Sequence, residues 1–501
     1  MSFYVIGIGG TGAKCIEAII QIASVGLLPT SKLNILFVDA DETNGNLNKT
    51  QNTLQYYQQC YEILKGQNKQ CNWMCTNIKA YDAWSPFNGT NTDKTLGSFF
   101  TYQTIKETKP ELANLFDVLY TEDERNVSLE VGFRGRPAIG SGIMTSMDLD
   151  SLSQEPWRSF INEIEQEVSG ASTTMTRVLL CGSIFGGTGA SGLPTIGRLI
   201  SNKLEDDGVR NSVKLGSIFA LPYFNFPKTT SDETVYATSD LFLLNTEAAL
   251  RYYHEHAQQF DVKYLLGNQQ FEKLGEFSVG KDTQKNKPHF IEFYAGLAAR
   301  NFFTEDPPNG VNVISREKIG RLEWKDLPSN SEVKQELSNA TRFAFIWLAY
   351  FQGQLQKGKS KGIAELDSFS WYKNFFQGRG LFGSITRKEL PDLSSDEQQE
   401  MIERINNWSF NFLQWLVDIH NCDREAVNLL KAREHFTNLD NLKEENFAYL
   451  FHDDPRAKDI LQKDNLVNLQ NSLGDIDTSQ FSEPNKGVAG LAKALYVYCK
   501  L

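Results

Sequence analysis

The sequence predicts an α/β protein: a Rossmann-type parallel sheet wound with helices in the first half, then a mainly helical C-terminal region. Three observations carry this. Apolar runs alternate with helical stretches through roughly the first three hundred residues. The runs "FYVIGIG" (3–9), "KLNILFVDAD" (32–41), "TRVLLCGSIF" (176–185) and "SVKLGSIFALPYF" (212–224) are mostly apolar at consecutive positions, as in parallel strands buried on both faces. Two of them pass directly into glycine-rich turns and then helices, in "FYVIGIGGTGAKCIEAII" (3–20) and "GSIFGGTGASGLPTIGRL" (182–199).

The other elements follow in order. "AKCIEAIIQIASVGLL" (13–28) is the helix after the first turn. Residues 45–128 are polar and rich in Asn, Gln and Thr, with helical fragments such as "TLGSFFTYQTI" (95–105), and read as an insertion between core elements. "EVGFRGRPAIGSGIM" (130–144) is a glycine-rich loop carrying two arginines, and "PWRSFINEIEQEVSG" (156–170) an amphipathic helix. "SDLFLLNTEAALRYYHEHAQQF" (239–260) is a long helix of good helix formers, "VKYLLGN" (262–268) a strand and "HFIEFYAGLAARNFF" (289–303) a largely buried helix. Beyond about residue 305, Trp and Phe recur at helical spacing in "RFAFIWLAYFQGQL" (342–355) and "INNWSFNFLQWLVDI" (405–419), which reads as core packing.

Composition narrows the function. The chain has 501 residues, 41% hydrophobic and 22% charged, as in an ordinary globular protein. A net charge of −12 argues against a dedicated nucleic-acid or anionic-membrane surface. No apolar run approaches the roughly 20 residues of a membrane span. The N-terminus enters a strand with no charged leader, so the expected location is the cytoplasm. Seven cysteines make no secreted disulfide framework. Cys60, Cys71 and Cys75 could offer soft zinc ligands, but no histidine lies near them, and no zinc site is expected. His254 and His256, two apart on a helix, point to different faces and make no metal pair.

Glycine turns at strand–helix junctions expose backbone N–H groups at a helix N-terminus, where they and the helix dipole favour phosphate. In the first turn Gly7, Gly9 and Gly12 fit G-x-G-x-x-G, and Asp39 ends the next strand; alone, this pattern reads as a dinucleotide site. The second turn, "GGTGASG" (186–192), adds four glycines and the hydroxyls of Thr188 and Ser191, for which a dinucleotide site has no use. Two such loops on neighbouring strands could grip one nucleotide from two sides. Three readings follow: a nucleotide-binding switch, an NAD-dependent oxidoreductase using only the first turn, and a scaffold that binds no nucleotide. No Tyr-Lys or His-Asp constellation supports the second.

At these residues the chain resembles the tubulin/FtsZ superfamily, and within it the divergent bacterial tubulin-like proteins. Gly186, Gly187, Thr188 and Gly189 match the centre of that family's G-G-G-T-G-[ST]-G signature, with Phe185 in place of its first glycine and one extra residue, Ala190 or Ser191, before Gly192. Gly9, Gly10, Thr11 and Gly12 are similar to its opening G-x-G-G-x-G, with Lys14 where FtsZ-like proteins usually carry Asn. "FVDAD" (37–41) resembles a segment that places Asp39 and Asp41 near the phosphate and metal end; "SDETV" (231–235) resembles the ribose-side loop. "LLNTEAAL" (243–250) resembles the start of the central helix, making Asn245 the candidate reader of a guanine edge. The stacking aromatic expected four residues before it is Leu241 here, with Phe242 one later. Arg134 and Arg136 would face the γ-phosphate.

The resemblance implies GTP or GDP with Mg²⁺, nucleotide-controlled assembly into a homo-oligomer or filament, and a role of the kind found in bacterial defence systems. Its domains would be a nucleotide-binding domain (1–238), a central helix (239–260), a second α/β domain (261–330) and a helical region (331–501) that could meet a protein partner. The family's acidic N-x-D-x-x-[DE] loop is missing: "QQFDVKYLLGNQQFEKLGEF" (258–277) follows the helix with Asp261 as its only aspartate. "NLDNLKEEN" (438–446) lies too late to replace it. A weak GTPase activity therefore has no assigned residue.

Overall fold

The computed structural model describes residues 2–28, 30, 32–41, 43–65, 72–88, 93–170, 175–225, 238–256, 259–268, 271–273, 285–315, 322–361, 365–379, 384–422, 429–430, 438–450, 465–477 and 486–500. Residues 1–19, 30–52 and 77–318 form one compact unit, and 20–29, 53–76 and 319–501 a second.

The first unit is built on seven strands: β1 Ser2–Ile8, β2 Lys32–Val38, β3 Asn77–Ala80, β4 Thr176–Ser183, β5 Val213–Ala220, β6 Val262–Gly267 and β7 Gly310–Ser315. All are parallel, in the order β3-β2-β1-β4-β5-β6-β7. β1 pairs with β2 through Phe3↔Leu33 and with β4 through Phe3↔Arg177, so it is an interior strand, and its residues are buried throughout. Parallel neighbours need crossovers, and helices supply them. Those used below are α1 Gly9–Ser24, α2 Gly45–Leu64, α3 Pro137–Met144, α4 Trp157–Ser169, α5 Gly187–Asp206, α6 Ser239–His256 and α7 Phe290–Thr304. The order of strands reverses between β1 and β4, and in open α/β sheets that is where a crevice forms beyond the strand ends. Both glycine turns leave the sheet there.

Two expectations change. β6 and β7 extend this one sheet, through Ile218↔Tyr264 and Tyr264↔Asn312, and do not found a separate domain at 261–330. Residues 45–128 hold the twenty-residue α2 and the edge strand β3 as well as short helices between Leu96 and Asn126. α2 escapes notice because Thr50, Thr53 and Cys60 fill buried positions along the stripe of Leu47, Leu54 and Tyr57.

In the second unit, Asn330–Ile346, Asp396–Asn421 and Gly487–Tyr498 are its principal helices. The aromatic stripes are core, as expected. Trp73 stacks on Tyr496 with ring centroids 4.4 Å apart and meets Phe343 at 4.6 Å and Trp408 at 5.5 Å.

Towards the N-terminal ends of the strands, α4 is fastened by Glu163. Its carboxylate accepts from Lys32, from Lys79 (2.7 Å) and from the Tyr81 hydroxyl. Burial opposes its ionisation, but these partners outweigh burial and hold its pKa at about 2, below the usual 4.5. A carboxylate with a depressed pKa stabilises the fold above its unfolded pKa and loses that contribution as pH falls through the folded one. Glu163→Gln should therefore lower the Tm at neutral pH, and the gap from the parent should close as pH falls from about 4.5 towards 2. Thermal melts across that range check this, and a gap independent of pH would contradict it.

Candidate functional site

Beyond the C-terminal ends of β1, β2 and β4 lies an open cleft walled by both glycine turns. The first turn contributes Gly9, Gly10 and Thr11 to the wall. Gly9 has φ +73°, and a Cβ there would lie 3.2 Å from the Gly189 nitrogen and from the Thr188 Cβ, so the two turns touch. Gly12 stands outside the lining. A Cβ on it would come within 2.6 Å of the Cys181 carbonyl oxygen, and its role is to let α1 pack closely over β4. At Gly10 a Cβ would meet only the side-chain ends of Asn44 and Asn46, at 3.2 Å.

The second turn opens α5. Its N-cap is Gly186, which has no side chain to satisfy the first-turn N–H groups, and those donors stand at a positive helix end. Gly186, Gly187, Thr188 and Gly189 line the cleft. A Cβ on Gly187 would lie 2.7 Å from Phe133 Cβ, and one on Gly189 2.5 Å from the Ser183 carbonyl oxygen. Ala190 and Ser191 are not lining residues. Ser191 is buried and donates to the carbonyls of Gly187 (2.8 Å) and Thr188 (3.3 Å), as a hydroxyl inside a helix does.

Two buried carboxylates close the end of β2. Asp39 Oδ1 accepts from the Asp41 N–H (3.2 Å) and the Thr188 hydroxyl (3.4 Å), while its Oδ2 is buried with no partner. Burial pushes this carboxyl up to about 7; the Asp41 charge adds to that and the accepted hydrogen bonds oppose it. Asp41 accepts from the Thr43 N–H (3.0 Å) and hydroxyl (2.8 Å), and both aspartates line the cleft.

The third loop holds Gly132 (φ 83°), Arg134 (φ 49°) and Gly135 (φ 69°) in left-handed conformations. Such a φ is uncommon for arginine, and backbone strain of this kind concentrates at functional loops. Arg134 lines the cleft and donates Nε–H to the Ser128 carbonyl at 3.1 Å. Arg136 does not line it; it precedes α3 and faces Glu124 at 3.9 Å.

Asn245 departs most from expectation. Its amide donates to the carbonyls of Phe185 (3.0 Å) and Gly135 (3.4 Å), tying α6 to the second and third loops, and it is not a lining residue. Phe242, one turn earlier, takes the wall position, with Phe185 at 4.9 Å and Phe224 at 5.9 Å between ring centroids. Leu241 takes no part in the wall. Sequence reasoning missed Asn44, Asn46, Tyr223, Phe224 and Asn286, and gave Lys14 no role; all six line the cleft. The available signals were the four-residue step from Gly10 to Lys14 and the position of Tyr223 and Phe224 just past β5.

"SDETV" (231–235) and Cys71 lie outside the described residues. Cys60 is buried, Cys75 sits 3.5 Å from the Trp73 carbonyl, and the described residues contain no group of three or more His, Cys, Asp or Glu placed to hold a metal. His254 and His256 are both exposed. No described helix is long and apolar enough to cross a membrane.

Fold and cleft together define a doubly wound parallel α/β protein with a glycine-walled crevice at the reversal of its strand order. No protein-family model matches the chain, and no curated protein does. Solved structures that match include CetZ2 from Haloferax volcanii, described as a GTPγS-bound protofilament. That match is 14% identical, covers 60% of this chain and 59% of the other, and has a TM-score of 0.27. The fold assignment rests on the strand order.

The two turns should respond differently to a methyl group. Gly189→Ala pushes a Cβ into backbone and should cost about 1–3 kcal/mol, whereas Gly10→Ala meets side-chain amide ends at 3.2 Å, which give more readily than backbone, and should cost less. Denaturant titration of the two variants measures this directly, and equal costs would refute the packing described.

Proposed function

We propose that the cleft binds a guanine nucleotide with Mg²⁺ and that nucleotide state governs self-association of the chain. The observation that carries the reading is the meeting of two glycine turns, the second with only Gly186 at its N-cap, beside a buried aspartate whose Oδ2 has no partner. Backbone donors at helix N-termini suit phosphates, and a dry, unpartnered carboxylate oxygen suits a hard divalent cation. Asp39 and Asp41 are the residues that would hold Mg²⁺, which would offset phosphate charge. Gly9, Gly10, Thr11 and Gly186 to Gly189 would cradle the phosphates, and Arg134 would donate to the terminal one. The aromatic group of Phe185, Tyr223, Phe224 and Phe242 offers a surface for the base. The guanine assignment and assembly into a homo-oligomer or filament rest on the resemblance of the glycine and "FVDAD" motifs to tubulin and FtsZ.

Hydrolysis is not part of the proposal. Asp261, the aspartate that follows α6, accepts from Arg210 at 3.2 Å and from the Leu215 N–H at 2.7 Å, a structural role next to β5.

Calorimetric titration with Mg-GTP, Mg-ATP and NAD tests the reading. GTP should bind one to one, and Gly10→Asp, which sets a carboxylate among the cradle donors without a backbone clash, should weaken it by roughly a hundredfold or more. Light scattering should then rise with GTP in the parent and stay flat in the variant. Binding of NAD alone, or of none of the three, would sink the proposal.

A further inference from the structure

Lys14 belongs to the cleft wall, yet its charge is already in use. Its ammonium pairs with Glu292 on α7, and the two side chains are 5% and 2% exposed. Glu292 is held by more than this ion pair. The Tyr223 hydroxyl donates to its Oε1 at 2.5 Å, and the His289 N–H to its Oε2 at 2.8 Å, closing a capping box at the start of α7. His289 is no rival cation, because burial, with Lys14 adding to it, pushes its pKa well below the usual 6.5.

Helix geometry decides where this ammonium can go. Lys14 stands four residues after Gly10 and three after Thr11, so all three share one face of α1. Helical side chains lean towards the N-terminus of their helix. The lysine stem therefore runs towards the turn whose N–H groups favour an anion. A buried ion pair gains little when desolvation is counted, so a second anion of higher charge at that turn competes well for the same ammonium.

We propose that Lys14 is a ligand-contacting cation that Glu292 holds while the cleft is empty, and that an oligophosphate entering the cleft draws it from Glu292 and loosens the start of α7. The inference rests on the nucleotide reading of the cleft. It makes Lys14 an affinity-determining residue and Glu292 a positioning residue that acts through it. By reciprocity, whatever weakens the pair in the empty protein must tighten the ligand.

Mg-GTP affinity is measured in the full chain for the parent, Lys14→Met, Glu292→Gln and the double variant, with circular dichroism confirming the fold. The double variant removes both charges, so it retains a folded test if Lys14→Met strands a buried carboxylate. Lys14→Met and the double variant should each bind about tenfold more weakly or worse. Glu292→Gln should bind roughly fivefold more tightly. Hydrogen exchange at residues 289–293 should rise on adding Mg-GTP to the parent and not in Glu292→Gln. Parent-like affinity in the double variant, or weaker binding in Glu292→Gln, would overturn the inference and leave the nucleotide reading standing. A parent that binds no nucleotide would overturn both.

Discussion

The site depends on how closely backbone approaches backbone where β1 and β4 meet. A Cβ at Gly12 would come within 2.6 Å of the Cys181 oxygen, and one at Gly182 within 2.8 Å of the Ile8 oxygen. Both contacts are with carbonyls of the sheet itself, which cannot move without breaking the ladder. Glycine at these positions lets α1 and α5 lie against the strand ends, and only then do the Gly9 and Gly189 turns touch. Remove that proximity and the chain retains two separate helix N-termini in place of one cleft.

Charge is arranged around this junction so that the protein's own groups leave one side of the cleft electrostatically unfinished and finish the other. At the end of β2, Asp39 keeps a buried oxygen without a partner and a carboxyl pushed up to about 7, so ionisation there is costly without a neighbouring cation. Along α1 the opposite holds, with the Lys14 ammonium neutralised by Glu292 and that carboxylate fully provided with donors. A ligand carrying both a cation and phosphate would suit the first arrangement and compete with the second.

Much of the sheet was legible because its strands are unbroken apolar runs, a pattern that only burial on both faces requires. The glycine turns were legible because a side chain is shut out of them, by a positive φ at Gly9 and by the close approach of neighbouring atoms at Gly12, Gly187 and Gly189. What the sequence hid was arrangement. Nothing local in "VKYLLGN" says that it pairs with β5, since an apolar run specifies burial and not its neighbour. α2 was obscured by threonine and cysteine serving as buried residues. The bonds of Asn245 were not legible, because an amide that can read a base edge can equally bond two carbonyls, and its partners lie in loops remote in sequence, at Gly135 and Phe185. Lys14 and Glu292 are 278 positions apart, so neither residue announces the other.

The same residue type thus does two kinds of work in one cleft, and the difference sets where the cleft can yield. In the second turn, Gly187 is bounded by Phe133 and Gly189 by the Ser183 backbone, so that wall is fixed by packing. Gly10 in the first turn is bounded only by the amide ends of Asn44 and Asn46. Asn46 in turn accepts from the Asn286 N–H at 2.9 Å, a few residues before α7 begins. The first turn is thus bounded by side chains and the second largely by backbone, and the first turn's side leads through Asn46 and Asn286, and through Lys14 and Glu292, to the same end of the same helix. A wall bounded by backbone facing one bounded by side chains, with both side-chain contacts converging on the start of α7, is the geometry by which occupancy of the cleft can bear on that helix.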